Sequence, residues 1–138
     1  MYNYSFFTDP WYGYERNNMK NNNLFTPDMG YTNGNLFADL YDGYKNYKPE
    51  EVKAYSERDN MLLNISKIYF AAHELNLYLD IHPNDQTMLT LFNDYRKQAE
   101  ELTRQYEAKY GPLNINSASL ENGPFRWING FPWEVGNV

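Results

Sequence analysis

Apolar residues recur at helical spacing in two stretches of this chain. Met61, Ile65, Ile68, Ala72, Leu75 and Leu79 follow one another at alternating steps of four and three, which places them on one face of a helix. Met88, Phe92, Tyr95, Ala99, Leu102 and Tyr106 repeat the pattern. Pro49 followed by Glu50 and Glu51 reads as a helix start, with proline in the first turn and acids where the helix dipole favours them. The first helix is therefore expected over about 50–81, ending there because His82 precedes Pro83 and is pushed out of helical geometry. Asn84 reads as the N-cap of a second helix over about 85–110, with Asp85 in its first turn. Gly111 and Pro112 form its stop, with Lys109 near the negative end of the dipole. At 1.5 Å per residue the helices would be about 48 Å and 39 Å long. The connection at His82, Pro83 and Asn84 is short enough to force an antiparallel hairpin. Leu62, Tyr69, Leu77, Leu89 and Leu91 fall beside the seams, so something besides the facing helix is expected to cover them.

The flanks read differently. In residues 1–48 neither a helical nor a strand period persists, and Gly13, Gly30, Gly34, Gly43, Pro10 and Pro27 interrupt the chain too often for long elements. This arm holds 13 aromatic residues, too many for ordinary disorder, so it is expected to be ordered by packing on something else. Asn21-Asn22-Asn23-Leu24-Phe25 and Asn33-Gly34-Asn35-Leu36-Phe37 form a weak repeat, each followed by a Gly-Tyr pair. Two units are fewer than a repeat array needs, so chance in a biased segment and a pair of Leu-Phe anchors docking in equivalent grooves both stand. Leu36, Phe37, Leu40, Tyr41 and Tyr44 would make one stripe if that segment were a short helix. After Pro112 the chain is again irregular, with Asn122-Gly123 and Asn129-Gly130 as turn dipeptides. Phe125, Trp127, Phe131 and Trp133 crowd this tail, which is expected to dock. The fold class is all-α: a helical hairpin with aromatic-rich arms at both ends, divided as arm 1–48 and hairpin with tail 49–138.

Composition narrows the function. Within 138 residues, 12 Lys and Arg stand against 18 Asp and Glu, a net charge of −6, the wrong sign for neutralising nucleic-acid phosphates or anionic lipid. There is no cysteine, which removes disulfides, thiolate metal sites and thiol nucleophiles. No run approaches the roughly 18 apolar residues of a membrane span, and the first residues lack the pattern of a secretory signal. Tyrosine supplies 14 of the aromatic residues, and a ring with a hydroxyl suits half-wet contact surfaces. The chain therefore reads as an interaction protein.

Catalytic candidates are few. His73 and His82 are the only histidines, and the Glu-x-x-His pairing of a di-metal bundle site is absent, since Glu74 is followed by Leu77. His73 as a helix-flank residue and His82 as a turn residue bonding a carbonyl are preferred to metal ligands. Asp80, Asn84 and Asp85 lack calcium-loop spacing and are better used in caps and turns. Glu100 and Glu101 are adjacent and diverge, so they form no acid/base pair. No catalytic residue, metal ligand or cofactor is expected. The residues expected to make contacts are Trp11, Phe37, Leu40, Tyr41, Tyr44, Trp127, Phe131 and Trp133.

Leu75-Asn76-Leu77-Tyr78-Leu79-Asp80-Ile81-His82-Pro83-Asn84-Asp85, then Tyr106-Glu107, Tyr110-Gly111-Pro112-Leu113, Trp127 and Pro132-Trp133-Glu134, resemble in order and spacing the CotJB family of spore coat proteins of endospore-forming Firmicutes. The resemblance covers residues 60–134. Gly130-Phe131 departs from it, standing where relatives often carry a second Pro-Trp pair. Upstream, Gly34-Asn35-Leu36-Phe37-Ala38-Asp39-Leu40-Tyr41 is similar to the short signature of the companion coat protein CotJA, with Ala38 in place of the usual proline. The resemblance implies a non-enzymatic coat component made in the mother-cell cytoplasm and deposited in the spore coat. It also implies a CotJC-like partner of the manganese-catalase type, a CotJA-like partner, and self-association as a further possibility. The alternative is a non-catalytic subunit that stabilises or recruits the catalase-like protein.

Overall fold

The structure, a computed structural model, describes residues 24–38 and 48–129. The chain divides into two compact units, Met1–Glu51 and Val52–Val138.

In the first unit the described residues form one closed turn. Helix α1 spans Pro27–Asn33. The hydroxyl of Thr26 accepts from Met29 N at 3.1 Å, Pro27 occupies the first turn where no N–H partner is needed, and Asp28 sits near the positive end of the dipole. Gly34, at φ +72°, ends the helix in the left-handed conformation that glycine adopts without strain. The two Leu-Phe copies, left open in the sequence between a chance repeat and a pair of docking anchors, pair with each other. Leu24 and Phe37 form an antiparallel bridge, and Phe25 N donates to Leu36 O at 2.8 Å. Leu36 is fully buried, and a Cβ on Gly30 would lie only 3.1 Å from its Cδ1, so Gly30 permits the close approach. Leu36 and Phe37 lie in this closure and not in a helix: the Asn35 side chain bonds both the N–H and the carbonyl of Phe37 and holds the backbone extended.

The second unit is the hairpin. Helix α2 spans Glu57–Ile81 and α3 spans Gln86–Tyr110, packed side by side. The seam residues Ile65, Ile68, Ala72 and Leu75 of α2 and Met88, Ala99 and Tyr106 of α3 are buried, joined by Ala71. Small side chains at 71, 72 and 99 let the helices approach closely. The outer seam positions Met61, Leu79, Phe92, Tyr95 and Leu102 are half-buried.

Two helix starts differ from expectation. The first helix begins at Glu57 and not near residue 50, because Ser56 caps it, its hydroxyl accepting from Asp59 N at 3.0 Å. Residues 50–55 carry no helix, and Pro49 is not a first-turn proline. The cap of the second helix is Asp85 and not Asn84: its Oδ1 accepts from Met88 N at 3.1 Å, and the helix starts at Gln86. A cap must reach the N–H three residues on, and Asn84 is spent in the turn. Both helices have 25 residues, or about 38 Å each. The stop is as expected. Gly111 has φ +117° and donates its N–H to Glu107 O at 3.1 Å, and Gly111 and Pro112 are buried. Beyond it lie two short 3-10 turns, Ala118–Leu120 and Arg126–Asn129, packed on each other.

Candidate interaction surface

Polar groups lock the hairpin at both ends. At the turn, the Tyr78 hydroxyl donates to Asp85 Oδ2 at 3.1 Å, so one carboxylate caps α3 with one oxygen and ties it to α2 with the other. The His82 ring stacks on Tyr78 at 4.4 Å, and His82 N donates to Tyr78 O at 3.0 Å. The imidazole thus serves the turn by stacking, and the carbonyl bond expected of the side chain is made by the backbone. Partial burial and the Asp85 carboxylate together raise the Tyr78 phenol above its ordinary pKa. At the open end, Arg58 Nε donates to the buried Tyr106 hydroxyl at 2.9 Å, Lys109 pairs with Glu57, and Glu107 Oε1 accepts from Leu113 N at 2.9 Å. The bond to Glu57 holds the Lys109 pKa above its usual value despite partial desolvation.

Chemistry is sparse around this frame. Among the described residues no group of three or more His, Cys, Asp and Glu could hold a metal ion, and no helix is long and apolar enough to cross a membrane. His73 is exposed on α2 and Asp80 is exposed near its end. The turn bears an open hollow lined by Tyr78, Ile81, His82, Pro83, Asn84 and Asp85. Another lies over Lys97, Glu100, Glu101 and Arg104, where Glu100 pairs with Arg96 and Glu101 with Arg104 along α3.

The helices differ in where their apolar residues go. On α3 they lie in the seam or half-buried beside it, as Leu89 and Leu91 do, and Arg96, Lys97, Glu100, Glu101 and Arg104 form an exposed charged face. On α2 they run around the circumference, a pattern proper to a helix covered on more than one side. Tyr69 and Leu77 are 44% and 49% exposed, Ile81 is 76% exposed, and Leu62 is half-buried.

Of the expected contact residues, Phe37 and Trp127 are described. Phe37 is half-buried in the Leu-Phe closure, and Trp127 is half-buried in the second 3-10 turn beside Phe125, which is 58% exposed. Trp11, Leu40, Tyr41, Tyr44, Phe131 and Trp133 lie outside the described residues. His82, Pro83 and Asn84 form the exposed turn as expected. Ser66 and His73 share the outer face of α2 with Leu62, Tyr69 and Leu77. An apolar pattern does not mark these two, although their helical spacing from Leu62 stands in the sequence.

The turn, the Gly111-Pro112 stop and the Trp127 region all fall in a segment with a known counterpart. The family model of the CotJB protein matches residues 59–134, more than half of the chain. The chain belongs to the CotJB family. It is thereby a spore coat component. The CotJB match takes in nearly the whole hairpin and all but the last four residues of the tail, and it leaves out α1 and the Leu-Phe closure. No curated protein and no solved structure gives a significant match to the chain.

Proposed function

We propose that this CotJB-family chain is a non-catalytic assembly component, made in the mother-cell cytoplasm and built into the coat by protein–protein contact. The observation that carries the reading is the uncovered apolar flank of α2, where Tyr69 and Leu77 stand about half exposed on a helix whose seam is already filled. Exposed aromatic and aliphatic side chains on a rigid element are what binding sites are made of. The family resemblance supplies the partners: a CotJC-like protein of the manganese-catalase type and a CotJA-like coat protein. The arms, through Trp11, Leu40, Tyr41, Tyr44, Phe131 and Trp133, extend the contact area. Co-expression of the full chain with the catalase-like neighbour, followed by mass measurement, tests this. A complex of defined mass that survives purification is expected. If neither a complex nor any self-assembly forms at high micromolar concentration, the chain is not an assembly component.

A further inference from the structure

Leu62, Ser66, Tyr69, His73 and Leu77 follow one another along α2 at steps of four, three, four and four. They form a stripe about 120° around the axis from the seam that meets α3. This stripe reads nearly the same in both directions. Around a midpoint between Tyr69 and Phe70, Leu62 mirrors Leu77 and Ser66 mirrors His73. A two-fold at that midpoint would set Leu62 of each copy against Leu77 of the other at both ends of the stripe, the reciprocal i-to-j pairing of an isologous contact.

Charge points to the same occupant. The chain carries −6, so two copies repel unless they meet on a face without carboxylates. From Asn60 to Leu79 the only charged residues of α2 are Lys67, which is buried, and Glu74, which is half-buried. The exposed residues of that stretch are Tyr69, His73, Asn76 and Leu77. A strongly charged partner would find no counter-charge there, whereas a second copy brings an equally uncharged face. Depletion of charge at the centre is also the compositional mark of an interface core. Covering the stripe strands no hydroxyl at Ser66, whose Oγ already donates to Leu62 O at 2.9 Å.

We infer that α2 pairs with α2 of a second copy of this chain, antiparallel about a two-fold axis at Tyr69, with Leu62 of each copy against Leu77 of the other. The inference deepens the assembly reading by naming one contact surface and its occupant, and it rests on that reading.

The experiment uses the full chain alone, with association followed by sedimentation over a range of concentrations. Leu62→Lys and Leu77→Glu should each weaken dimerisation about tenfold or more, because each buries charge in the contact without a counter-charge. The double variant should recover most of the loss, since the two-fold places each new lysine against a new glutamate of the mate. Parallel pairing, or any contact elsewhere, predicts no recovery. The absence of native cysteine permits a second readout on a chain otherwise unchanged: Tyr69→Cys, next to the axis, should oxidise to a covalent dimer much faster than Lys97→Cys on the charged face of α3. A monomeric Tyr69→Cys variant whose thiol is shielded from thiol reagents would put the chain's own residues on the stripe. A monomeric variant whose thiol reacts until a catalase-like partner is added would put that partner there. Either result overturns the inference, and the second leaves the assembly reading standing. Singles that weaken nothing, or a double that recovers nothing, also overturn it.

Discussion

Leu75 and Leu102 hold equivalent places in the two sequence seams, yet their surroundings differ. Leu75 is fully buried and Leu102 is only half-buried. Leu75→Ala is therefore expected to cost about 3 kcal/mol or more, within the range for deleting a buried leucine. Leu102→Ala should cost less than half of that, and urea midpoints of the two variants check the order. Thr103 stands between Ala99 and Tyr106 along the same face of α3, and its Oγ1 is buried without a hydrogen-bond partner among the described residues. An orphaned buried hydroxyl is a net penalty, so Thr103→Val, which keeps the shape and removes the polar atom, should stabilise the hairpin by about 1 kcal/mol. A midpoint that falls would mean the hydroxyl has a partner, such as an ordered water.

At the level of elements, the caps decide where the helices begin. Asp85 both caps α3 and receives the Tyr78 hydroxyl, while Asn84 is exposed in the turn. Asp85→Ala should thus cost about 1 to 2 kcal/mol, as for a lost N-cap, and Asn84→Ala close to nothing. Equal losses would return the cap to Asn84. The hairpin itself is legible in the sequence because its signals are local and redundant: two unbroken seams, a proline turn, and Gly111-Pro112 as a stop. The start of α2 is not, because Pro49-Glu50-Glu51 and Ser56-Glu57-Arg58-Asp59 are both acceptable beginnings on local grounds. Seam residues appear only from Met61 onward, so an earlier start would extend the helix with nothing to pack. α1 hides behind Pro27, which reads as an interruption, although Thr26-Pro27-Asp28 is a cap, first-turn proline and first-turn acid in order. The pairing of Leu24-Phe25 with Leu36-Phe37 is a non-local contact, and a period search reads only what lies along the chain. Among the contact residues, the flank of α2 is visible as apolar positions beside the seam, whereas its two-fold pattern emerges only when exposure separates it from the seam.

On the scale of the hairpin as a whole, both ends carry a proton-dependent lock, and the two act in the same direction. The Tyr78 phenol is held above its unfolded value of 10.0 by partial burial and by Asp85. The Lys109 ammonium is held above its unfolded value of 10.5 chiefly by Glu57. In each case the folded state keeps the proton more tightly than the unfolded chain does. Their contributions are therefore complete below about pH 10 and decline as pH rises through the unfolded values towards the higher folded ones. The proton is lost from a neutral phenol at one end and from a cation at the other, so both losses make an already acidic chain more negative. Unfolding midpoints in urea should be flat from pH 8 to about 9.5 and decline by pH 11. Tyr78→Phe with Lys109→Met removes both titrating groups. It should start from a lower midpoint at pH 8, because the bonds to Asp85 and Glu57 are gone, and show a shallower decline above pH 10. The remaining tyrosines and lysines titrate in both proteins, so the difference between the two curves isolates the locks. Parallel curves across that interval would show that neither end of the hairpin couples its proton to the fold.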